Sequence, residues 1–260
     1  MEKVLQVEHL RAGYGRKIIL QDISFSVAPR EIRMILGESG SGKSTLLNNI
    51  LKLEHFISGK ISFFGEDIPR KEPIPDRIRR RTGVLFQGGA LLTSLTVAEN
   101  VELPLRRSYP TLSQQTLDEI AADRLEKVHL LNAFYKLPSE LSGGMRKRAA
   151  LARAIAFEPE LLFCDEPSAG LDPVTSRSLD ELLLELRDTL GVSVVIVSHE
   201  LESIRTICDR FIYIENGLVL KDGTLDEGIR SEIPVIRDFF ARSCRKPDEH
   251  RKLIHFDFED

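Results

Sequence analysis

Three stretches near the amino end of the chain alternate apolar and polar residues with a period of two. They cover residues 4–7, 23–27 and 32–36, and this alternation predicts strands joined by turns. From Ser44 onward the apolar residues are instead spaced as on one face of a helix. The pattern therefore predicts strands, a glycine-rich loop and a helix, in that order.

Two apolar runs in the second half of the chain predict short, buried strands of a parallel sheet, at Leu161–Asp165 and residues 192–198. The helix between them has clear boundaries, because Asp172 suits its N-cap, Pro173 its first position and Gly191 its end. Strands and helices that alternate in this way are typical of an α/β fold.

The middle of the chain has helical spacing and few β-branched runs, so residues 88–159 are expected to form a helical subdomain. We expect one domain over residues 1–232, which contains this subdomain, and a carboxyl-terminal extension over residues 233–260. The extension mixes phenylalanines with many charges and includes a linker-like Lys-Pro-Asp-Glu segment.

Composition disfavours several classes of protein. Lys and Arg total 36 against 40 Asp and Glu, a formal net charge of −4, so no overall basic field favours nucleic acid. The apolar runs fall far short of the roughly 20 residues that cross a bilayer, and Glu2 and Glu8 interrupt a signal-peptide pattern. The three cysteines lack metal-ligand spacing and are expected to be reduced. A chain that stays in the cytoplasm is the expectation.

The loop before the first predicted helix matches the phosphate-binding pattern GxxxxGK[ST]. Its glycines let the backbone curl until N–H groups point at phosphate oxygens, and the helix N-terminus adds positive potential. Lys43 would reach the β and γ phosphates, and the Ser44 hydroxyl suits Mg²⁺. A plain Gly/Ser-rich turn is the alternative, but it leaves the Lys-Ser pair unexplained. The candidate phosphate-binding residues are Gly37, Glu38, Ser39, Gly40, Ser41, Gly42, Lys43, Ser44 and Thr45.

The strand Leu161–Asp165 delivers two carboxylates, Asp165 and Glu166, to its carboxyl end, where open α/β sheets place their ligands. Asp165 would hold the hydration shell of Mg²⁺, and Glu166 would orient and polarise the water that attacks the γ phosphate. A solvated strand end is the alternative interpretation. The loop upstream favours the catalytic one, because it supplies the nucleotide that these acids would serve.

A Ser-Gly-Gly turn precedes a further predicted helix. Ser142 suits an N-cap, and Gly143 and Gly144 expose N–H groups at the positive end of that helix. The turn is a sufficient helix cap on its own. The functional interpretation adds that this end is aimed at a phosphate.

The ordered set of these motifs, with Gln87, residues 168–172 and His199, resembles the ATPase subunits of ABC transporters over residues 4–226. The resemblance implies a P-loop α/β core with an antiparallel β portion and a helical subdomain. It also implies that Tyr14 stacks on adenine, that Gln87 senses Mg²⁺ and the attacking water, and that His199 contacts the γ phosphate. Taken singly, these three would be a turn tyrosine, a polar loop residue and a capping histidine.

The same resemblance implies a head-to-tail homodimer. Ser142, Gly143 and Gly144 of one subunit would close on ATP held by residues 37–45 of the other, and Asp172 would lie in the segment that crosses the interface. Each chain would then hold two half-sites, and closure would supply the positioning that phosphoryl transfer requires. ATP is the implied substrate and Mg²⁺ the implied cofactor, with Ser44, Gln87 and Asp165 as its expected contacts.

An ATPase without a membrane span must find an integral membrane permease as a separate chain. We therefore expect a peripheral subunit at the cytoplasmic face of the inner membrane. Residues Ala90, Leu91, Leu92 and Leu95 follow Gln87 closely, so a permease helix could dock there. These residues could equally pack the helical subdomain.

Residues 88–101 and 141–156 are similar to ATPases of Mla/MCE-type lipid transport. This narrower resemblance implies phospholipid cargo, an MCE substrate-binding protein, a STAS-like regulator, and a tail that reaches the other subunit through Phe239 and Phe240. Met145 departs from the glutamine of many family members, which puts a side-chain contact and the turnover rate there in question. An ABC importer of polar solutes shares the subunit plan and remains the alternative.

Two other classes are less favoured. A nucleic-acid-linked ABC ATPase is suggested only by the basic run Arg77, Arg79, Arg80 and Arg81, which a solvated basic face near a membrane also explains. The chain has no sustained heptads between Gln87 and the Ser-Gly-Gly turn. A nonhydrolysing scaffold is disfavoured because every expected catalytic position is filled. We therefore expect no nucleic-acid partner.

Overall fold

The computed structural model describes residues 3–15 and 17–241, and one mixed sheet lies at its centre. In these residues the sheet has ten strands: β1 (Leu5–Tyr14), β2 (Lys17–Val27), β3 (Ile32–Leu36), β4 (Ser58–Phe63), β5 (Glu66–Asp67), β6 (Thr82–Leu85), β7 (Leu161–Asp165), β8 (Ser193–Val197), β9 (Arg210–Glu215) and β10 (Leu218–Thr224). Their order across the sheet is β5-β4-β1-β2-β10-β9-β3-β8-β7-β6.

Helices cover both faces of the sheet. They are α1 (Lys43–Ile50), α2 (Asp76–Arg79), α3 (Val97–Ser108), α4 (Gln114–Lys127), α5 (Gly143–Ala154), α6 (Pro173–Leu190), α7 (Leu201–Ile207), α8 (Leu225–Ile229) and α9 (Pro234–Ala241), with 3₁₀ turns at Leu131–Ala133 and Pro138–Glu140. Within the part of the chain that the structure describes, no helix is both long and apolar enough to cross a membrane.

The sheet has a parallel half and an antiparallel half. Strands β6, β7, β8, β3 and β9 run parallel, whereas β1, β2, β4 and β5 form an antiparallel arm. Successive residues of β3 face opposite cores, because Met34 packs with the helices α3 to α6 and Ile35 packs with α1 and the arm. The predicted α/β core with an antiparallel β portion is confirmed.

The helix between β7 and β8 has the boundaries that the sequence predicts. Asp172 caps α6, because its Oδ1 accepts hydrogen bonds from the backbone N–H groups of Val174 at 3.1 Å and Thr175 at 3.0 Å. Gly191 ends the helix with φ 69°, a left-handed conformation that glycine adopts at low cost. Strand β7 also spans the residues predicted for it.

Helices α3, α4 and α5 fall within residues 88–159, and one buried side chain fixes the loop that enters them. Asn100, on α3, is fully buried. Its amide group bonds to the backbone N–H and carbonyl of Leu92 and to the carbonyls of Leu95 and Thr96. The Asn100 amide therefore joins α3 to the part of this loop between Leu92 and Thr96.

Asn100→Ala should lower the free energy of unfolding by about 1–3 kcal/mol, because it removes the buried amide that bonds to the backbone of Leu92, Leu95 and Thr96. Chemical denaturation measures this loss. Gln115→Ala is the matched control, since Gln115 is exposed and its amide bonds to Glu119 one turn further along the same helix, and we expect a change within about 0.5 kcal/mol. Equal losses in the two variants would contradict the role given to Asn100.

The carboxyl-terminal helix α9 packs on its own subunit. The ring of Phe239 lies 5.5 Å from that of Tyr213, and the ring of Phe240 lies 5.4 Å from that of Phe211. Phe239 and Phe240 are only 6% and 2% exposed. The expectation that these two rings anchor the tail on the partner subunit is therefore wrong, because the chain's own core buries them. Residues 242–260 lie outside the described residues.

The basic run is divided among contacts within the chain. Each of its four side chains contacts a different partner. The partners are Glu66 for Arg77, Asp76 for Arg79, the ring of Tyr109 for Arg80, and Glu160 for Arg81. The basic run therefore makes contacts within its own chain.

Candidate active site

The carboxyl ends of β3, β7 and β8 open onto a cavity of about 830 Å³. It is lined by residues 37–40 and 42–45, together with Gln87, Asp165, Glu166 and His199. A cavity of this size suits a small organic ligand. The fold therefore brings most of the predicted site residues together at the edge of the sheet where α/β proteins bind ligands.

The glycine-rich loop between β3 and α1 depends on two glycines. Gly37 has φ 148°, and an added Cβ would lie 2.3 Å from the Ile214 carbonyl oxygen. Gly42 has φ 108° and precedes α1 without a side-chain cap. The first N–H groups of α1 are therefore left for an anion, as in other helix N-termini that bind phosphate.

Lys43 folds back over this loop. Its Nζ donates hydrogen bonds to the carbonyl oxygens of Gly37 at 2.8 Å and Glu38 at 2.9 Å. Burial lowers the pKa of Lys43, and the nearby Glu166 and Asp165 carboxylates act in the opposite direction. The ammonium group thus lies between the loop and the two acids, where it could contact the phosphate oxygens of a bound nucleotide.

Glu166 and His199 form the hydrogen-bonded pair of the site. Glu166 Oε1 lies 2.8 Å from His199 Nδ1, whereas Glu166 Oε2 is buried and has no hydrogen-bond partner among the described residues. Glu166 has φ 45°, a left-handed backbone that is uncommon for a residue with a side chain. The histidine thus holds one oxygen of the carboxylate at the edge of the cavity.

The oxygen donors of the cavity suit Mg²⁺. Ser44, Gln87 and Asp165 all line it and carry the hard oxygen atoms that this ion prefers. Burial, and then the charge of Glu166, raises the pKa of Asp165, so this carboxylate gains from a nearby cation. The residues present therefore fit the ion that the resemblance implies.

The Ser-Gly-Gly turn lies outside this cavity. Ser142 caps α5, since its Oγ accepts a hydrogen bond from the Met145 backbone N–H at 3.3 Å. An added Cβ on Gly144 would lie 2.4 Å from Thr175 Cγ2, so this glycine allows α5 to approach α6 closely. Gly143 and Asp172 likewise do not line the cavity. The cavity of one subunit is therefore not lined by the Ser-Gly-Gly turn or by Asp172 of the same subunit.

Tyr14 does not line the cavity either. Its ring is half exposed, and its hydroxyl donates a hydrogen bond to Glu54 Oε1 at 2.8 Å. This bond to Glu54 is the main cause that raises the pKa of Tyr14. The apolar part of the cavity lining comes from three residues that the sequence did not suggest for this site, namely Ile19, Leu201 and Phe239.

Lys147, on α5, is a further residue that the motifs did not indicate. Its Nζ donates hydrogen bonds to the backbone carbonyls of Gln87 and Glu166. The sequence does contain one signal for this residue. Lys147 is a charged residue on the side of α5 that buries Ala150 and Leu151, and a lysine in such a place needs a partner.

A curled loop before a helix, two acids at a strand end and a histidine bonded to the second acid define a P-loop ATPase site. Residues 20–169 match the model of the ABC transporter family. The chain belongs to this family as an ATP-binding subunit that hydrolyses ATP to drive transport.

Curated relatives agree with this assignment. The methionine import ATP-binding protein of Xanthomonas campestris pv. campestris strain 8004 is 35% identical over 98% of this chain and 77% of its own length. The corresponding protein of Campylobacter jejuni is 31% identical over 94% of this chain and 78% of its own length. Both are named as methionine importers, so they favour the polar-solute alternative over the Mla/MCE-type expectation.

Solved structures show the same fold. An ATP-binding cassette captured as a post-hydrolysis dimer with ADP and Pi matches with a TM-score of 0.75 and 31% identity, over 85% of this chain and 98% of that one. The cbiO1 protein of Clostridium perfringens, part of the cbiONQ transporter complex, matches with a TM-score of 0.80 and 28% identity, over 93% of this chain and 96% of that one.

Proposed function

We propose that this chain is the ATP-hydrolysing subunit of an ABC importer for a polar solute, and that it works as a head-to-tail homodimer with a separate permease. The observation that carries the catalytic part is the Glu166 carboxylate, which lines the cavity beside Lys43 and is held by His199 at 2.8 Å. The methionine importers among the relatives support the cargo class.

Each residue has a distinct task in the proposed reaction. The N–H groups of the loop and the Lys43 ammonium bind the phosphates. The Glu166 carboxylate accepts a hydrogen bond from the attacking water and takes up its proton, while His199 keeps the carboxylate in place and contacts the γ phosphate. Mg²⁺, held by Ser44, Asp165 and Gln87, would neutralise the negative charge that the phosphates carry.

The dimer completes the site. Ser142, Gly143 and Gly144 lie outside the cavity of their own subunit, and the first turn of α5 presents backbone N–H groups that would contact ATP on the partner. Asp172 would lie at the same interface. The dimeric relative bound to ADP and Pi supports this arrangement. In the same proposal Tyr14 stacks on adenine.

The permease would dock beside Gln87. Leu92 is 46% exposed and Leu91 is partly buried against the core, so this loop offers an apolar contact next to a residue that lines the cavity. A subunit held in this way lies at the cytoplasmic face of the inner membrane. The chain then reports nucleotide state to the permease through Gln87.

Phospholipid transport of the Mla/MCE type is the second candidate, because residues 88–101 and 141–156 resemble those ATPases. Affinity purification of the tagged chain from detergent-solubilised membranes decides between the two. A permease whose reconstituted ATPase responds to methionine or a related solute supports the proposal. Recovery of an MCE protein or a STAS-like regulator, with phospholipid transfer between vesicles, supports the second candidate instead.

A further inference from the structure

Lys147 is a buried lysine that joins two segments of the site. Its side chain lies one turn into α5 and is 7% exposed. The Nζ atom donates a hydrogen bond to the backbone carbonyl of Gln87 and another, of 3.2 Å, to that of Glu166. One ammonium group therefore holds the backbone of both residues that are expected to handle the attacking water.

Two opposing effects act on the charge of this ammonium group. Burial lowers the pKa of Lys147, while the nearby Cys164, Asp165 and Glu166 act in the opposite direction. A buried cation is unfavourable unless it is paired and hydrogen-bonded. The carbonyls and the neighbouring acids supply those interactions, so the side chain has little freedom to leave.

A second cation of α5 holds the same loop. Arg153 donates hydrogen bonds to the carbonyl oxygens of Ala90 and Gly89, both at 2.7 Å. With Lys147, the helix thus binds three carbonyls in the segment that follows β6. This segment cannot shift far unless α5 shifts with it.

We propose that Lys147 is a positioning residue for ATP hydrolysis, which transmits the position of α5 to Gln87 and Glu166 of the same subunit. The first turn of α5 carries Ser142 and Gly144, which would close on the nucleotide of the partner. When the first turn of α5 closes on the partner's nucleotide, α5 thereby also sets the positions of Gln87 and Glu166 at the nucleotide of its own subunit. This inference rests on the proposed dimer and adds a link between its two sites.

Steady-state ATPase kinetics of the full chain test the role of Lys147. Lys147→Met keeps an unbranched side chain that is one atom shorter and removes its donors, and kcat should fall by about tenfold or more while the KM for ATP changes by less than about twofold. Lys147→Gln keeps two N–H donors on a shorter side chain and should give an intermediate kcat. Wild-type kcat in either variant would overturn the proposal.

Arg148→Met is the matched control on the same helix. The Arg148 guanidinium bonds to the Val128 carbonyl at 2.9 Å and to Ser178 Oγ at 2.8 Å, so its loss should lower the melting temperature without changing kcat. A fall in kcat equal to that of Lys147→Met would reduce Lys147 to a structural residue and overturn the proposal. A wild-type chain that hydrolyses no ATP would instead contradict the proposed function.

ATP-dependent dimerisation gives a second readout. Combined with Glu166→Gln, which slows hydrolysis, Lys147→Met should still yield an ATP-dependent dimer in size-exclusion chromatography. This result is expected because Ser142 and the first turn of α5 remain intact. Loss of the dimer would show that Lys147 is needed for nucleotide binding or dimer formation, and this would overturn the positioning role.

Discussion

Glu166→Gln should lower the rate of ATP hydrolysis by about 10²- to 10⁴-fold, the range expected when a general base is lost. Glutamine preserves the shape of the side chain and can keep a hydrogen bond to His199, but its amide cannot take up a proton. ATP binding should persist, because the loop and Lys43 are unchanged. The variant should therefore accumulate as an ATP-bound dimer, which light scattering with ATP and Mg²⁺ can detect.

Glu160→Gln is the control for this change. Glu160 lies just before the other end of β7, where its carboxylate pairs with the Arg81 guanidinium at the surface. Its replacement should leave the hydrolysis rate within about twofold, because exposed ion pairs contribute little. Wild-type turnover in Glu166→Gln, or equal losses in both variants, would remove Glu166 from the catalytic role.

Lys43→Ala should weaken ATP binding by about 10- to 100-fold, which corresponds to the loss of a charge-assisted hydrogen bond of about 1.5–3 kcal/mol. The ammonium group is the cation of the loop itself, and without ATP it bonds to the Gly37 and Glu38 carbonyls. Titration calorimetry with a nonhydrolysable ATP analogue and Mg²⁺ measures the change directly.

Lys52→Ala is a closely matched control. Lys52 lies just beyond the other end of α1, burial also lowers its pKa, and its Nζ likewise donates to two backbone carbonyls, those of Pro69 and Arg70. Because Lys52 does not line the cavity, its loss should leave the affinity for ATP unchanged. Equal affinity losses in the two variants would indicate that Lys43 supports the loop rather than the phosphates.

Local signals explain which parts of the fold could be predicted from sequence. The limits of α6 follow from Asp172, Pro173 and Gly191, each of which acts through its own backbone or its immediate neighbours. Strand β7 is a short apolar run that ends in charge, and the phosphate-binding loop is a contiguous motif. The hairpin formed by β9 and β10 was not predicted, because the strands are irregularly paired and β10 has mixed exposure.

Contacts between distant residues explain what the sequence could not reveal. Nothing near Tyr14 indicates that Glu54 will hold its hydroxyl. The buried partners of Phe239 are likewise unpredictable from the aromatic and charged composition of its own segment. Lys147 follows the Ser-Gly-Gly turn by three residues, but the turn does not indicate its contacts, which appear only where α5 meets the segments after β6 and β7.

The central place of β3 in the sheet has a consequence for biosynthesis. Its two hydrogen-bonded neighbours, β8 and β9, begin at Ser193 and Arg210, so a ribosome must make most of the chain before β3 can be enclosed. The antiparallel arm, in contrast, pairs strands close in sequence and can assemble early. Since the Ile214 carbonyl lies against Gly37, the phosphate-binding loop acquires its final shape late, and a nascent chain halted before β9 should not yet retain nucleotide.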